Sequence, residues 1–254
     1  MPRVPRIQNA KPIPKGLRDK LAICHEHPER LLFLDIETTG LSHFYDEITI
    51  VGWSFGGRSG TFIKGQDPSE LFQVVQNAIA VVTFNGIRFD QRFLKQEFPH
   101  ISLPETHIDL MYLCRRVGLT GGQKAIETIL GLNFREDLEG VDGFAAVLLW
   151  HEYLRGNLKA LKRLIAYNRA DIAAMGGLMD DALSSLGYEP DLIGQAVRFV
   201  DWSNPKDRHR LPAGLKKAAP ELARAPTFRE LFDGHRAETA RIVGIDLTGS
   251  EARP

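Results

Sequence analysis

The sequence predicts an α/β protein built on a mixed sheet, three antiparallel strands followed by parallel ones, with helices on its faces. Three observations carry this. Apolar, β-rich runs at 31–37, 47–55 and 60–65 are separated by short Gly-containing turns, and connections that short join antiparallel neighbours. A helical stretch from Pro68, with apolar Leu71, Phe72, Val74, Val75 and Ile79, then leads into "AVVTFN" at 80–85. A helical crossover implies that this new strand lies parallel to one already in the sheet.

The remaining elements follow in order. Residues 1–16, with four prolines and a basic excess, predict an extended arm, followed by a short helix through "LRDKLAICHEH". After the fourth strand, "DQRFLKQEF" predicts a helix and "THIDL" a short strand. Asp109 is placed to cap a helix over "LMYLCRRV". "QKAIETILGL" predicts a helix ended by Gly131, and 144–186 predicts two more helices. The expected organisation is an arm and short helix at 1–30, one α/β domain at 31–186, and a Pro-rich basic linker at 187–240 that contains "NPKDRHRLPAGLKK". At 241–254, "RIVGIDLTGS" predicts an isolated strand, either a sheet edge or the first strand of a truncated second domain.

Composition narrows the function classes. With 43% apolar and 25% charged residues, the 254-residue chain reads as a soluble globular protein with room for a sizeable core. Its longest apolar runs, such as "FAAVLLW" at 144–150, fall well short of the ~20 residues a membrane span needs, and "MPRVPRIQNAKPIPKG" lacks an apolar signal region. The expected location is therefore cytoplasmic. Cys24 and Cys114 have no spacing that suggests a zinc site or a disulfide framework. The 32 basic and 32 acidic residues balance, which neither demands nor excludes a nucleic-acid partner.

The chemistry begins in "LLFLDIETTG" at 31–40, where an apolar strand ends in two acids one residue apart. Successive strand side chains point to opposite faces, so Asp35 and Glu37 share a face and Ile36 takes the other. Two like charges about 4 Å apart repel by roughly 4 kcal/mol at an effective dielectric of about 20, so either something neutralises them or one stays protonated, and a divalent cation is the economical answer. Further acids and a tyrosine recur at telling places. "TFNGIRFD" puts Asn85 at a strand end and Asp90 at the start of a helix, the end of an α/β sheet where sites gather. "LIAYNRADIAAM" places Tyr167 and Asp171 four apart, on one helix face with Leu164 and Met175, so both are expected to point inward. Each piece alone has a plain structural reading: Asp90 as a helix cap, Asn85 as a turn residue, Tyr167 with Asp171 as a surface pair. Their combination and order point instead to one acidic, metal-holding site.

This set resembles the DEDD superfamily of 3′-to-5′ exonucleases, with the ribonuclease H-like fold, and within it the tyrosine-containing (DEDDy) branch. The matching residues are Asp35 and Glu37 in "DIETTG", Asp90 in "FNGIRFD", and Tyr167 with Asp171 in "YNRAD". "HIDLMYLCRR", "AIETILGL" and "LIAYNRADI" look closest to the YprB-like predicted exonuclease group, over roughly residues 31–185. The resemblance implies metal-dependent hydrolysis of single-stranded DNA or RNA from a free 3′ end. It further implies two divalent cations, Mg²⁺ or Mn²⁺, held by Asp35, Glu37, Asp90 and Asp171, with Tyr167 positioning the attacking water. By the same resemblance, Ile36, Thr38, Thr39 and Leu41 meet the terminal nucleotide and Asn85 lies near it. Arg88, Arg115, Arg116, Lys124 and Arg135 form a pool of candidate phosphate contacts, each of which also reads as an ordinary surface cation. Three other readings compete. A phosphatase of the haloacid dehalogenase type needs Asp at position 37; a silent binding module has no need of four mutually repelling acids; an endonuclease would use the same metal site.

Overall fold

The computed structural model describes residues 13–132, 134, 135, 138, 140, 142–188 and 210–212. The expected strand at 241–254, and all of the linker except 187, 188 and 210–212, lie outside the described residues. The expected mixed sheet is present. β1 (Leu31–Thr38), β2 (Ile48–Phe55) and β3 (Arg58–Ile63) form an antiparallel meander, and β4 (Ala80–Thr83) and β5 (Thr106–Asp109) add in parallel on the far side of β1. The strand order is β3-β2-β1-β4-β5. Around it pack α1 (Lys15–Glu26), α2 (Ser69–Asn77), α3 (Asp90–Glu97), α4 (Leu110–Arg116), α5 (Gln123–Leu130), α6 (Gly143–Leu154) and α7 (Leu158–Ser185).

Local sequence explains most boundaries. Gly56 and Gly57 both have positive φ, 56° and 74°, which makes a two-residue hairpin turn and sets Arg58 opposite Phe55. β3 therefore starts two residues earlier than the apolar pattern of "GTFIKG" implies. β4 ends at Thr83, not Asn85, because Asn85 turns into the left-handed region (φ 63°) and its N–H goes to Asp109 at 2.9 Å, away from the ladder. Asp109 also accepts from Met111 N–H at 3.0 Å, capping α4 as expected. Asp142 caps α6 through Ala145 N–H, Asn157 caps α7, and Gly131 ends α5 with φ 67°.

β1 is the central strand and is covered on both faces, which is why it reads as a nearly unbroken apolar run. Leu31 and Phe33 pack with α1, α4 and α7, whereas Leu32, Leu34 and Ile36 pack with α2 and α3. By strand parity Asp35 and Glu37 continue the Leu31–Phe33 face, so they point at α7. That helix is buried nearly all round through its middle, with Ala166, Ala170, Ala173, Ala174 and Gly176 letting it lie close against its neighbours. Among the described residues no helix is long and apolar enough to cross a membrane.

Candidate active site

Where the C-terminal end of β1 meets the middle of α7, three carboxylates converge. Asp35, Glu37 and Asp171 each offer an oxygen within 4.8 Å of the others. Glu37 and Asp171 are 8% and 9% exposed, so little water screens them from one another. Asp90, at the first turn of α3, is buried and lines the same cavity of about 200 Å³, as does Tyr167, one turn before Asp171. The cavity also takes in Ile36, Asn85, Phe84, Phe89 and Gln123. Thr38, Thr39 and Leu41 do not line it. Thr38 Oγ1 donates to Gly40 O at 2.5 Å, and Thr39 Oγ1 donates to Asp46 Oδ1 and accepts from Glu47 N–H, both at 3.1 Å. Those two side chains hold the β1–β2 turn, while Leu41 is 48% exposed beside it.

Burial dominates the electrostatics. It pushes the Asp35 carboxyl well above its ordinary range, and the charges of Asp171, Asp90 and Glu37 push it further. Glu37 is raised by burial and by Asp171, with Arg135 pulling the other way. Asp90 is pushed up to about 7, chiefly by burial and then by Asp109, while backbone hydrogen bonds at Asp90 and Ile36 oppose the shift. One observation bears directly on a cation: Asp90 Oδ1 is buried and accepts no hydrogen bond, a cost of about 1–3 kcal/mol that a ligated ion would relieve. Hard oxygen donors from Asp35, Glu37, Asp171 and Asp90 fit Mg²⁺ or Mn²⁺.

A profile described as the RNase_H superfamily matches residues 32–183, more than half of the chain. The chain belongs to the RNase_H superfamily. Superfamily membership agrees with the mixed five-stranded sheet, its first three strands antiparallel. Solved structures that match the chain include the family B DNA polymerase of the hyperthermophilic archaeon Pyrobaculum calidifontis, at 14% identity and a TM-score of 0.46 over 68% of this chain; the match covers 28% of the polymerase chain. A nuclease solved in its apo form shares 18% identity with a TM-score of 0.46, over 74% of this chain and 86% of its own. The EXO domain of Aedes aegypti Nibbler shares 10% identity with a TM-score of 0.44, over 74% of this chain and 99% of its own. No curated protein matches the chain.

Several residues around this site have contacts that the sequence does not assign to them. Asn168, 0% exposed, donates from Nδ2 to Asp35 Oδ2 at 2.8 Å and to Asp35 O at 3.2 Å. Gln123 Nε2 donates to the Asp171 carbonyl at 2.8 Å. Arg135, by sequence a candidate phosphate contact that also reads as an ordinary surface cation, has a side chain only 15% exposed. It donates twice to the Glu127 carboxylate at 2.8 Å and once to Asp171 Oδ1. Burial alone would lower the Arg135 pKa, but Asp171 and Glu127 more than reverse that and keep it charged. Lys124 Nζ and Arg135 Cζ lie 4.8 and 5.2 Å from the Tyr167 ring centroid. One sequence signal for Asn168 existed. Gly52, directly opposite Asp35 on β2, interrupts a strand interior, which marks a close approach of another group.

Proposed function

We propose that this chain is a metal-dependent 3′-to-5′ exonuclease of single-stranded nucleic acid, of the tyrosine-containing DEDD type and nearest the YprB-like group. The observation that carries the reading is the meeting of Asp35, Glu37 and Asp171 within 4.8 Å, in one cavity with Asp90 and Tyr167. Membership of the RNase_H superfamily supports it. Two bound divalent cations, Mg²⁺ or Mn²⁺, would supply the Lewis acidity to activate a water and to offset charge on the departing 3′ oxygen. Asp35, Glu37 and Asp171 would hold the ions, with Asp90 completing the set.

Tyr167 acts by position, not as a base. Burial, then Asp171 and Glu37, push its phenol further above its ordinary range, so it keeps its proton and can donate one hydrogen bond. Asn168 fixes the Asp35 carboxylate, and Gln123 ties the Asp171 backbone to α5. Phe84 and Phe89 offer apolar surface where a terminal nucleobase would rest, beside Asn85.

The test is incubation of the protein with 5′-labelled single-stranded DNA and RNA and Mn²⁺, beside circular single-stranded DNA. A ladder that shortens from the 3′ end, with circles left intact, is the expected result. Cleaved circles would overturn the exonuclease assignment, and no cleavage of any substrate would overturn the nuclease reading.

A further inference from the structure

A second cavity, of about 420 Å³, lies on the other side of the loop that carries Asn85. Its size suits a small ligand, for which pockets run from about 300 to 1,000 Å³. α1 contributes Leu17 and Lys20, the loop contributes Ile87, β5 contributes His107, and α4 contributes Tyr112 and Arg116. The loop is common to both cavities: Asn85 and Phe89 line the acidic one, and Ile87 lines this one. Asp109, the acid of this wall, accepts backbone N–H bonds from Asn85 (2.9 Å), Ile87 (3.2 Å) and Met111 (3.0 Å), which offset its charge. His107 is bonded to Thr83 Oγ1 at 2.8 Å, and burial lowers its pKa, so it adds no charge at neutral pH. Lys20 and Arg116 are the cationic side chains of its lining. Tyr112 and Ile87 are 39% and 40% exposed, and the Arg115 guanidinium lies 6.0 Å from the Tyr112 ring centroid.

Cations interleaved with an exposed aromatic ring are the chemistry of single-strand binding, in which phosphates meet the charges and bases stack on the ring. We propose that this cavity is a second nucleotide subsite, which takes an internal nucleotide of the same strand whose end occupies the acidic cavity. Lys20 and Arg116 meet its phosphate, and Tyr112 with Ile87 meets its base. The inference rests on the nuclease reading above and adds to it a length requirement: a strand must reach past the Asn85 loop to gain the extra affinity.

Fluorescence anisotropy of labelled oligothymidylates, with Ca²⁺ replacing Mn²⁺, tests this on the full chain. The wild type should bind a twelve-nucleotide strand at least tenfold tighter than a dinucleotide. Tyr112→Ala and Lys20→Gln should each weaken the long strand on the order of tenfold and leave the dinucleotide unchanged, and Lys20→Arg should retain wild-type affinity. Loss of Lys20 should also lower the salt dependence of long-strand binding by about one unit of log–log slope. Both side chains are partly exposed, so truncating them leaves the core intact. Unchanged long-strand affinity in both variants would overturn the proposal, as would a wild type that binds no long strand, or variants that lose both lengths equally. If binding follows the expected pattern while Mn²⁺ supports no cleavage, the subsite stands and the nuclease reading falls.

Discussion

Tyr167 and Asp171 stand one helical turn apart on α7, yet their side chains have different surroundings. Asp171 belongs to the carboxylate cluster, whereas the Tyr167 ring is flanked by Lys124 and Arg135, and under the proposed function its hydroxyl positions the attacking water. Tyr167→Phe keeps the ring and its packing, so it should lower turnover by about 10- to 10³-fold with Mn²⁺ affinity nearly unchanged. Asp171→Asn should abolish cleavage and weaken Mn²⁺ binding, and calorimetric titration alongside single-turnover kinetics separates the two. Equal rates for Tyr167→Phe and wild type would remove the positioning role. Arg135 invites a different measurement. Its partner Glu127 is 4% exposed by side chain, and a buried charge stripped of its partner costs about 3–5 kcal/mol. Urea denaturation in EDTA should therefore show Arg135→Met destabilised by about that amount, and Arg135→Met with Glu127→Gln destabilised less. A double variant as unstable as the single would show that the ion pair is not the cause.

β2 and α7 meet through a missing side chain. Gly52 pairs with Asp35, and a Cβ there would lie 1.8 Å from Asn168 Oδ1 and 2.8 Å from Ile172 Cδ1. The glycine thus lets α7 settle onto the strands closely enough for Asn168 to reach Asp35. Gly52→Ala would force Asn168 aside, against only a few tenths of a kcal/mol gained from a stiffer unfolded chain. We expect a net loss of about 1–3 kcal/mol in urea and weaker Mn²⁺ binding, since Asp35 loses its brace. A Gly52→Ala protein as stable as wild type would mean that α7 moves away from β2 without cost. Strand parity decided which side of the sheet this contact uses. Asp35 and Glu37 continue the Leu31–Phe33 face, the face that α7 covers.

The buried acids tie the stability of the whole chain to pH. Asp90 is held at about 7 against an ordinary value of 3.8, and Asp35, Glu37 and Asp171 are raised as well. Between about pH 5 and 7 the folded chain thus retains protons that the unfolded chain has released, so unfolding free energy falls as pH rises through that window. In EDTA the melting temperature should drop from about pH 5 to about pH 7.5, and excess Mn²⁺ should restore it at the upper end, because an ion that binds only the folded state stabilises by mass action. A melting temperature flat across that range in EDTA would contradict the raised acids. Much of this molecule was legible from periodicity within single elements. A period of two put Asp35 and Glu37 on one face, a period of 3.6 put Tyr167 and Asp171 on another, and short turns against helical crossovers gave the mixed sheet. Turn chemistry moved both ends of β3 two residues towards the N-terminus and ended β4 two residues early. The Asn168 brace on Asp35 and the Arg135 bridge to Asp171 were not legible, because they join positions 133 and 36 residues apart. A short polar residue and an arginine carry no periodic mark of such a contact. Each acquires its partner only when the chain is folded, Asn168 as α7 packs against β1 and Arg135 as it meets Asp171 on α7, where the cost of burying charge makes the pairing obligatory.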